Sequence, residues 1–559
     1  MHLLSARAWR RSLRRRGQAL SRPALVVAAL LGGAAPAAAQ TSVVTYHYDT
    51  DRSGWNATET VLTPQTVGGE GSGFGLLATV SLDGTVDAQP LVVPGVVIEG
   101  DPNAGNHDVV YVATEANTIF AIDPTVGTVL LSRNFGNNVP RTRGCGANDI
   151  GVGITGTPVI DTQRGLLYVV AYTRAQQRGG GTIPIYTLHA LALATLADAV
   201  APVVISASQT LIDGSTLAFS AGLQRQRPAL LEYGNTIYTA FGSFCDNSPA
   251  RGWVMGWAAD TLLPLNPGAG GTPIGNLTNR DKTAPGGRFL SSIWMSGAGP
   301  AADANGVYYA TGNSNNSASL YDPAYNVEHS LVRLSPDTGS VLDVFTPSNL
   351  PYLASRDLDF GSGGVMLLPG TAAGQPAMVA AAGKFGTLYL LDRTNLGGYT
   401  PGGPDNALAA VQIGKCWCAP AYFNDGTPTL VSSGGTRVTL WAVQATPLVR
   451  RAVSPPVATG PDPGFFTSVS SNGTSGTIVW AVTRPLGGGD SSVWLYAFGL
   501  GAGNKPLRQL FAAPAGTWNE ANHNANIVPV VANGRAYVAS DGALAIFGLA
   551  PAPGAAIRQ

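Results

Sequence analysis

Eight divergent copies of one strand pattern, short strands rich in β-branched and aromatic residues, and no helix-period stretch of useful length predict an all-β chain. Stacked copies of this kind form an eight-bladed β-propeller of four-stranded antiparallel blades. The clearest copy joins residues 109–114 (VVYVAT), 118–123 (TIFAID) and 127–131 (GTVLL). The others begin near residues 166, 237, 307, 378, 429, 478 and 536. Steps of about 50 to 70 residues leave room for four strands and variable loops. One such sheet cannot bury both faces alone, so neighbours must stack into a ring or a solenoid, and the ring is the better fit. A merger among the divergent fifth to seventh units would leave seven blades.

The two ends of the repeat array predict how the ring closes. The last copy stops after its third strand near Leu549, while residues 76–82 (LLATVSL) form an orphan strand ahead of the first copy. Pairing them supplies a fourth strand and removes two exposed edges. The expected organisation is therefore an export signal over 1–39, an N-terminal extended segment over 40–71, a single propeller over 72–550 and a short tail over 551–559. The signal rests on seven arginines without an acid in the first 40 residues, a short apolar run at 24–31 and three alanines just before Gln40. That run is far shorter than the roughly 20 apolar residues needed to span a bilayer.

Composition narrows the class of function. The whole chain has 33 basic and 33 acidic residues, and removal of the seven signal arginines leaves 26 against 33, a charge of −7. Such a surface does not suit a nucleic-acid backbone. The expected location is periplasmic or secreted, with no membrane span after signal cleavage. Export also brings the four cysteines into an oxidising compartment. Cys145 with Cys245 is the favoured pair, both lying in Gly- or Asn-rich loops. Cys416 and Cys418 form either a tight local bridge or two thiols, and a metal there would need further ligands, the nearest histidines in sequence being His329 and His523. No CxxCH haem motif, GxSxG elbow, GxGxxG fingerprint or HExxH motif occurs.

In a propeller the innermost strands line the axis, and the segments leading into them build a pocket at one rim. Here those segments are unusually polar or glycine-rich: 155–158 (TGTP), 224–228 (QRQRP), 296–300 (SGAGP), 359–364 (DFGSGG), 469–473 (VSSNG) and 522–526 (NHNAN). Arg225 and Arg227 can point to one face and grip a carboxylate or an ortho-quinone, or else pair internally with Asp357 and Asp359. Asp359, with Asp357 beside it, is the candidate general base and also a candidate cation ligand. Asp303 is a second candidate cation ligand, although residues 303–306 (DANG) equally make an ordinary turn. His523 is a candidate proton carrier, and Trp294 and Trp417 are candidate platforms for a flat cofactor.

The segments VVYVATEANTIFAIDPTVG, GVYYATGNS and GRAYVASDGALAIFGL resemble the pyrroloquinoline-quinone-like propeller repeats of the quinoprotein alcohol dehydrogenase-like superfamily, over roughly residues 72–550. More locally, RQRPALL, SGAGPAADANGVYYATGN and DLDFGSGGVMLLP resemble a group of exported bacterial propellers of this type. The resemblance implies quinone and calcium on the axis, oxidation of an alcohol or a sugar, and transfer of electrons to an external acceptor. The superfamily also contains assembly scaffolds without cofactor, so a propeller that binds polysaccharide or an envelope protein is the alternative, with a hydrolase or lyase of extracellular polymer behind it. One departure stands out. The alcohol enzymes resemble one another in having two directly adjacent cysteines, whereas here Trp417 separates Cys416 from Cys418.

Overall fold

The computed structural model describes residues 40–550 apart from 101, 141–150, 211–214, 245, 247–248, 266–289, 315–320, 324–325, 337–338, 370–375, 444–447, 458–463, 486–488, 502–504 and 520–524. The expected signal and tail, Cys145, Cys245 and His523 lie outside these residues. Eight sheets follow one another along the chain as the blades of a propeller. In the first blade Leu91–Ile98, Gly105–Ala113, Thr118–Asp123 and Thr128–Asn134 pair antiparallel in sequence order. The strand alternation is weak because the middle strands are buried on both faces, as in Gly105–Ala113, whose last five residues VVYVA are all buried.

Closure follows the expectation. Phe74–Thr85 pairs antiparallel with the second half of Arg535–Leu549, in a register that sets Leu76 opposite Phe547 and Val80 opposite Leu544. The first half of the same strand pairs with Val530–Ala532, so N- and C-terminal chain share the eighth blade.

The third blade breaks the pattern. Gln224–Gln226 and Leu231–Tyr233 both pair with Thr236–Ser243, yet the five steps from Gln226 to Leu231 lie against only three, from Phe241 to Tyr238. Residues 227–230 therefore bulge out of the inner strand, where Pro228 has no N–H to offer a ladder. The bulge gives Arg225 and Arg227 different surroundings, where an unbroken strand would have aimed them alike.

Residues 43–56 are not an extended arm but a belt inside the ring. They touch the inner strand of seven blades and the bulge of the third. Val43 bridges Val92 in the first blade, and Val44 accepts from Ile160 N (2.8 Å) in the second. Arg52 Nη2 donates to Leu230 O (3.2 Å) beside the inner strand of the third. Carbonyls of Thr50, Asp51, Ser53 and Gly54 then accept from Ala302, Leu367, Tyr422 and Val469, at 2.7–2.9 Å, in the fourth to seventh. Asn56 Nδ2 closes the circuit on Val531 O (3.0 Å) in the eighth. To turn so tightly the chain takes positive φ at His47, Tyr48, Arg52 and Gly54. Tyr46 packs from the belt into a buried cluster with Ala229, Met295, Ala298, Ala419, Phe466 and Val528, drawn from blades all round the ring. The hole is thus filled by protein at this level.

Candidate axial site

Two tiers of residues meet on the axial face. One tier leads into inner strands and includes Arg225, Arg227, Trp294 and Asp359. The other leaves the second strand of a blade and returns to the same rim: Glu115, Asp246, Asn313, Lys384 and Arg484 follow strands ending at Ala113, Ser243, Ala310, Ala382 and Val482. Antiparallel neighbours share their ends, so both tiers must reach one rim.

Asp359 and Asp357 come together as expected, but their cation is not an arginine. Lys384 Nζ lies 2.6 Å from Asp359 Oδ2 and 3.2 Å from Asp357 Oδ2. Asn313 ties both carboxylates from the other side, its N donating to Asp359 Oδ1 (2.8 Å) and its Nδ2 to Asp357 Oδ1 (2.6 Å). Burial by itself pulls the lysine down, yet Asp359 and Asp357 hold it above its ordinary value. The Asp357 carboxyl is raised, by burial first and then by the charge of Asp359. Asp246 is pushed up to about 6 by burial and by Asp359. His329 accepts from Phe360 N on Nδ1 (3.3 Å), and burial lowers its pKa against the pull of Asp359.

The expected pairing of Arg225 and Arg227 with Asp357 and Asp359 does not form. Arg225 Nη2 faces the buried Glu115 at 3.8 Å, and its guanidinium lies 5.8 Å from the Phe244 ring. Glu115 accepts from Gly153 N and Thr155 Oγ1, and burial and Asp87 raise its carboxyl. Arg227 has no ion pair with a described residue, and its Nη2 is buried without a hydrogen-bond partner there. Burial, and then the charge of Arg225, lowers it to about 9.

The two candidate platforms flank the carboxylates. The Trp294 indole lies between two glycines: a Cβ on Gly242 would come 2.5 Å from its Cδ1, and one on Gly312 2.5 Å from its Cζ3. No other residue leaves that slot open. Trp294 Nε1 donates to Ser243 O (3.2 Å), fixing the ring. On the other side Lys384 Nζ lies 5.8 Å from the Trp417 ring, which stands between the disulfide-bonded Cys416 and Cys418. The tight local bridge is therefore formed.

Asp303 is not part of this site. It ends the inner strand Ala301–Asp303, whereas Asp359 precedes Val365–Leu368, so the two stand at opposite ends of the inner ring. Asp303 caps its own turn by accepting from Asn305 N (2.9 Å) and pairs with Arg393 (2.7 Å). The turn role offered by the sequence is the one it fills. Among the described residues no group of three His, Cys, Asp or Glu side chains is placed to hold a metal ion.

Sequence reasoning missed Glu115, Asp246, Asn313 and Lys384 because it looked only at segments leading into inner strands. A signal existed: polar residues directly after an apolar second strand, as in 378–384 (MVAAAGK) and 307–313 (VYYATGN).

No protein-family model matches this chain, and no curated protein sequence does. Solved structures share its fold. A quinohemoprotein alcohol dehydrogenase from Pseudomonas putida HK5 is similar at 16% identity and a TM-score of 0.56, over 93% of this chain and 82% of that one. A europium-containing methanol dehydrogenase is similar at 13% identity and a TM-score of 0.56, over 91% and 98%. BamB from Moraxella catarrhalis is similar at 14% identity and a TM-score of 0.44, over 85% and 97%.

Proposed function

We propose that this propeller, of the fold seen in quinoprotein dehydrogenases, is an exported oxidoreductase that binds a flat, anionic quinone on the axial face and acts on a hydroxyl-bearing small molecule, an alcohol or a sugar. The observation that carries this is Arg227: a buried guanidinium with one nitrogen lacking a hydrogen-bond partner among the described residues, and with the like charge of Arg225 acting on it, is arranged to take an anion. The bound quinone would supply the two-electron acceptor. Trp294 and Trp417 would border its ring, Arg227 would meet a carboxylate or quinone oxygen, and Asp359 would take the hydroxyl proton on a carboxylate oxygen while Lys384 holds that charge in place. Electrons then pass to an external acceptor.

Calcium fits less well. Lys384 already pairs with both axial carboxylates, and among the described residues no group of three His, Cys, Asp or Glu side chains is placed to hold a metal ion. No step is assigned to a metal.

Titration with pyrroloquinoline quinone, followed by absorbance and by tryptophan emission, tests the proposal. Binding is expected in calcium-free buffer, at least tenfold weaker in Arg227→Ala. Asp359→Asn is expected to keep the binding and lose dye-linked oxidation. A second function, a cofactor-free binding module, is favoured by the internal pairing of Lys384 with Asp357 and Asp359. It predicts no titration and no change in either variant.

A further inference from the structure

We propose that a cleft beside the second blade is a separate binding site for a carboxylate-bearing sugar, such as a uronic acid unit of a polysaccharide. The second and third strands of that blade, Leu166–Gln176 and Thr182–Ala192, remain paired to Gln176 and Thr182. The inner strand pairs only as far as Tyr168, and the outer strand only with Thr187–Leu191. Beyond those pairs Asn138 bridges Thr173 and Tyr186 O accepts from Ile205 N (2.8 Å), so the base of the hairpin is anchored while its tip projects past both neighbours. At its base lies a cleft of about 360 Å³, within the range of small-ligand sites.

Its walls suit a pyranose. Pro140 and Pro184 line it together with the nearly buried Tyr172 and Phe244. They are held in place: Tyr172 stacks on Tyr186 at 4.0 Å and donates to Ala221 O (2.7 Å), and Arg225 lies against Phe244. Thr182 adds a hydroxyl. Arg174 supplies the charge. It is exposed at the cleft and makes no hydrogen bond or ion pair with any described residue, so its planar donors are free to fork onto a carboxylate. On a chain whose charge without the seven N-terminal arginines is −7, an uncompensated guanidinium in the cleft selects an acidic sugar over a neutral one.

Calorimetry on the full chain with tri-galacturonate, and with maltotriose as the neutral control, tests this without any quinone, so the outcome is independent of the axial proposal. The acidic trisaccharide is expected to bind at least tenfold more tightly than the neutral one. Arg174→Ala is expected to abolish that preference and Arg174→Lys to restore part of it, with unchanged melting because the residue is exposed. Equal affinity for both sugars, no binding of either, or an acid preference that survives Arg174→Ala would each overturn the proposal.

Discussion

Arg52 in the belt and Arg227 on the axial face are both buried arginines whose pKa falls, to about 10 and about 9, chiefly through burial. Their surroundings differ completely. Arg52 donates from Nε to Pro300 O (2.8 Å), from Nη1 to Thr45 Oγ1 (2.6 Å) and Tyr46 O (2.9 Å), and from Nη2 to Leu230 O (3.2 Å). Arg227 has an idle nitrogen. A buried cation costs several kcal/mol of desolvation unless its donors are met. The belt meets them with carbonyls and so rivets the ring together, while the axial face leaves one unmet.

The largest effect expected from this contrast is on stability. Arg52→Ala strips hydrogen bonds from three buried carbonyls and should destabilise the protein by about 3 to 5 kcal/mol. Arg227→Ala should cost nothing or stabilise slightly, since it removes an unmet charge. Urea unfolding of both variants decides, and equal losses would erase the distinction between rivet and ligand site.

A smaller loss is expected at the Trp294 slot. Gly312→Ala sets a methyl against the indole and should cost about 1 to 3 kcal/mol as overpacking, with a shift in tryptophan emission. An unchanged emission would mean that the slot does not fix the ring.

The belt should also carry a pH signature. Burial lowers His47 to about 3, and neither ring nitrogen has a hydrogen-bond partner. Between that value and the ordinary 6.5 the unfolded chain holds a proton that the folded one lacks. Stability from this residue is therefore full above pH 6.5 and falls on acidification by about 1.4 kcal/mol per pH unit. Asp49, raised by burial, works in the opposite sense over the acid range. Unfolding of His47→Phe across pH 4 to 7 should show a shallower slope than the parent, and identical slopes would place the proton elsewhere.

The smallest change is local. Lys384→Met removes the charge that holds Asp357 down, so the already raised Asp357 carboxyl should rise further, measurable by carboxyl-carbon NMR. A constant value would show that Asn313 alone sets it.

The ring and its closure were legible because they follow from repetition: the copies around residues 109–131 and the orphan strand at 76–82 demand stacking partners, and only a closed wheel supplies them all. The belt was not. Residues 43–56 lack periodicity, and their hydrogen bonds run to residues hundreds of positions away, as from Asn56 to Val531. Asp357 and Asp359 were legible as a pair, and Arg225 and Arg227 as unusual cations. Their partners were not, because a two-residue bulge and the shared ends of antiparallel strands decide which side chains meet.

What the chain alone determined, then, is local and additive: strand period, turn chemistry, the number of repeating units, and the polar segments too costly to bury without a purpose. Which cation neutralises Asp359, which arginine goes unmet, and what fills the hole were settled only when eight sheets converged. Around an axis, contacts are fixed by angle and height in the ring, and neither quantity is written in sequence separation.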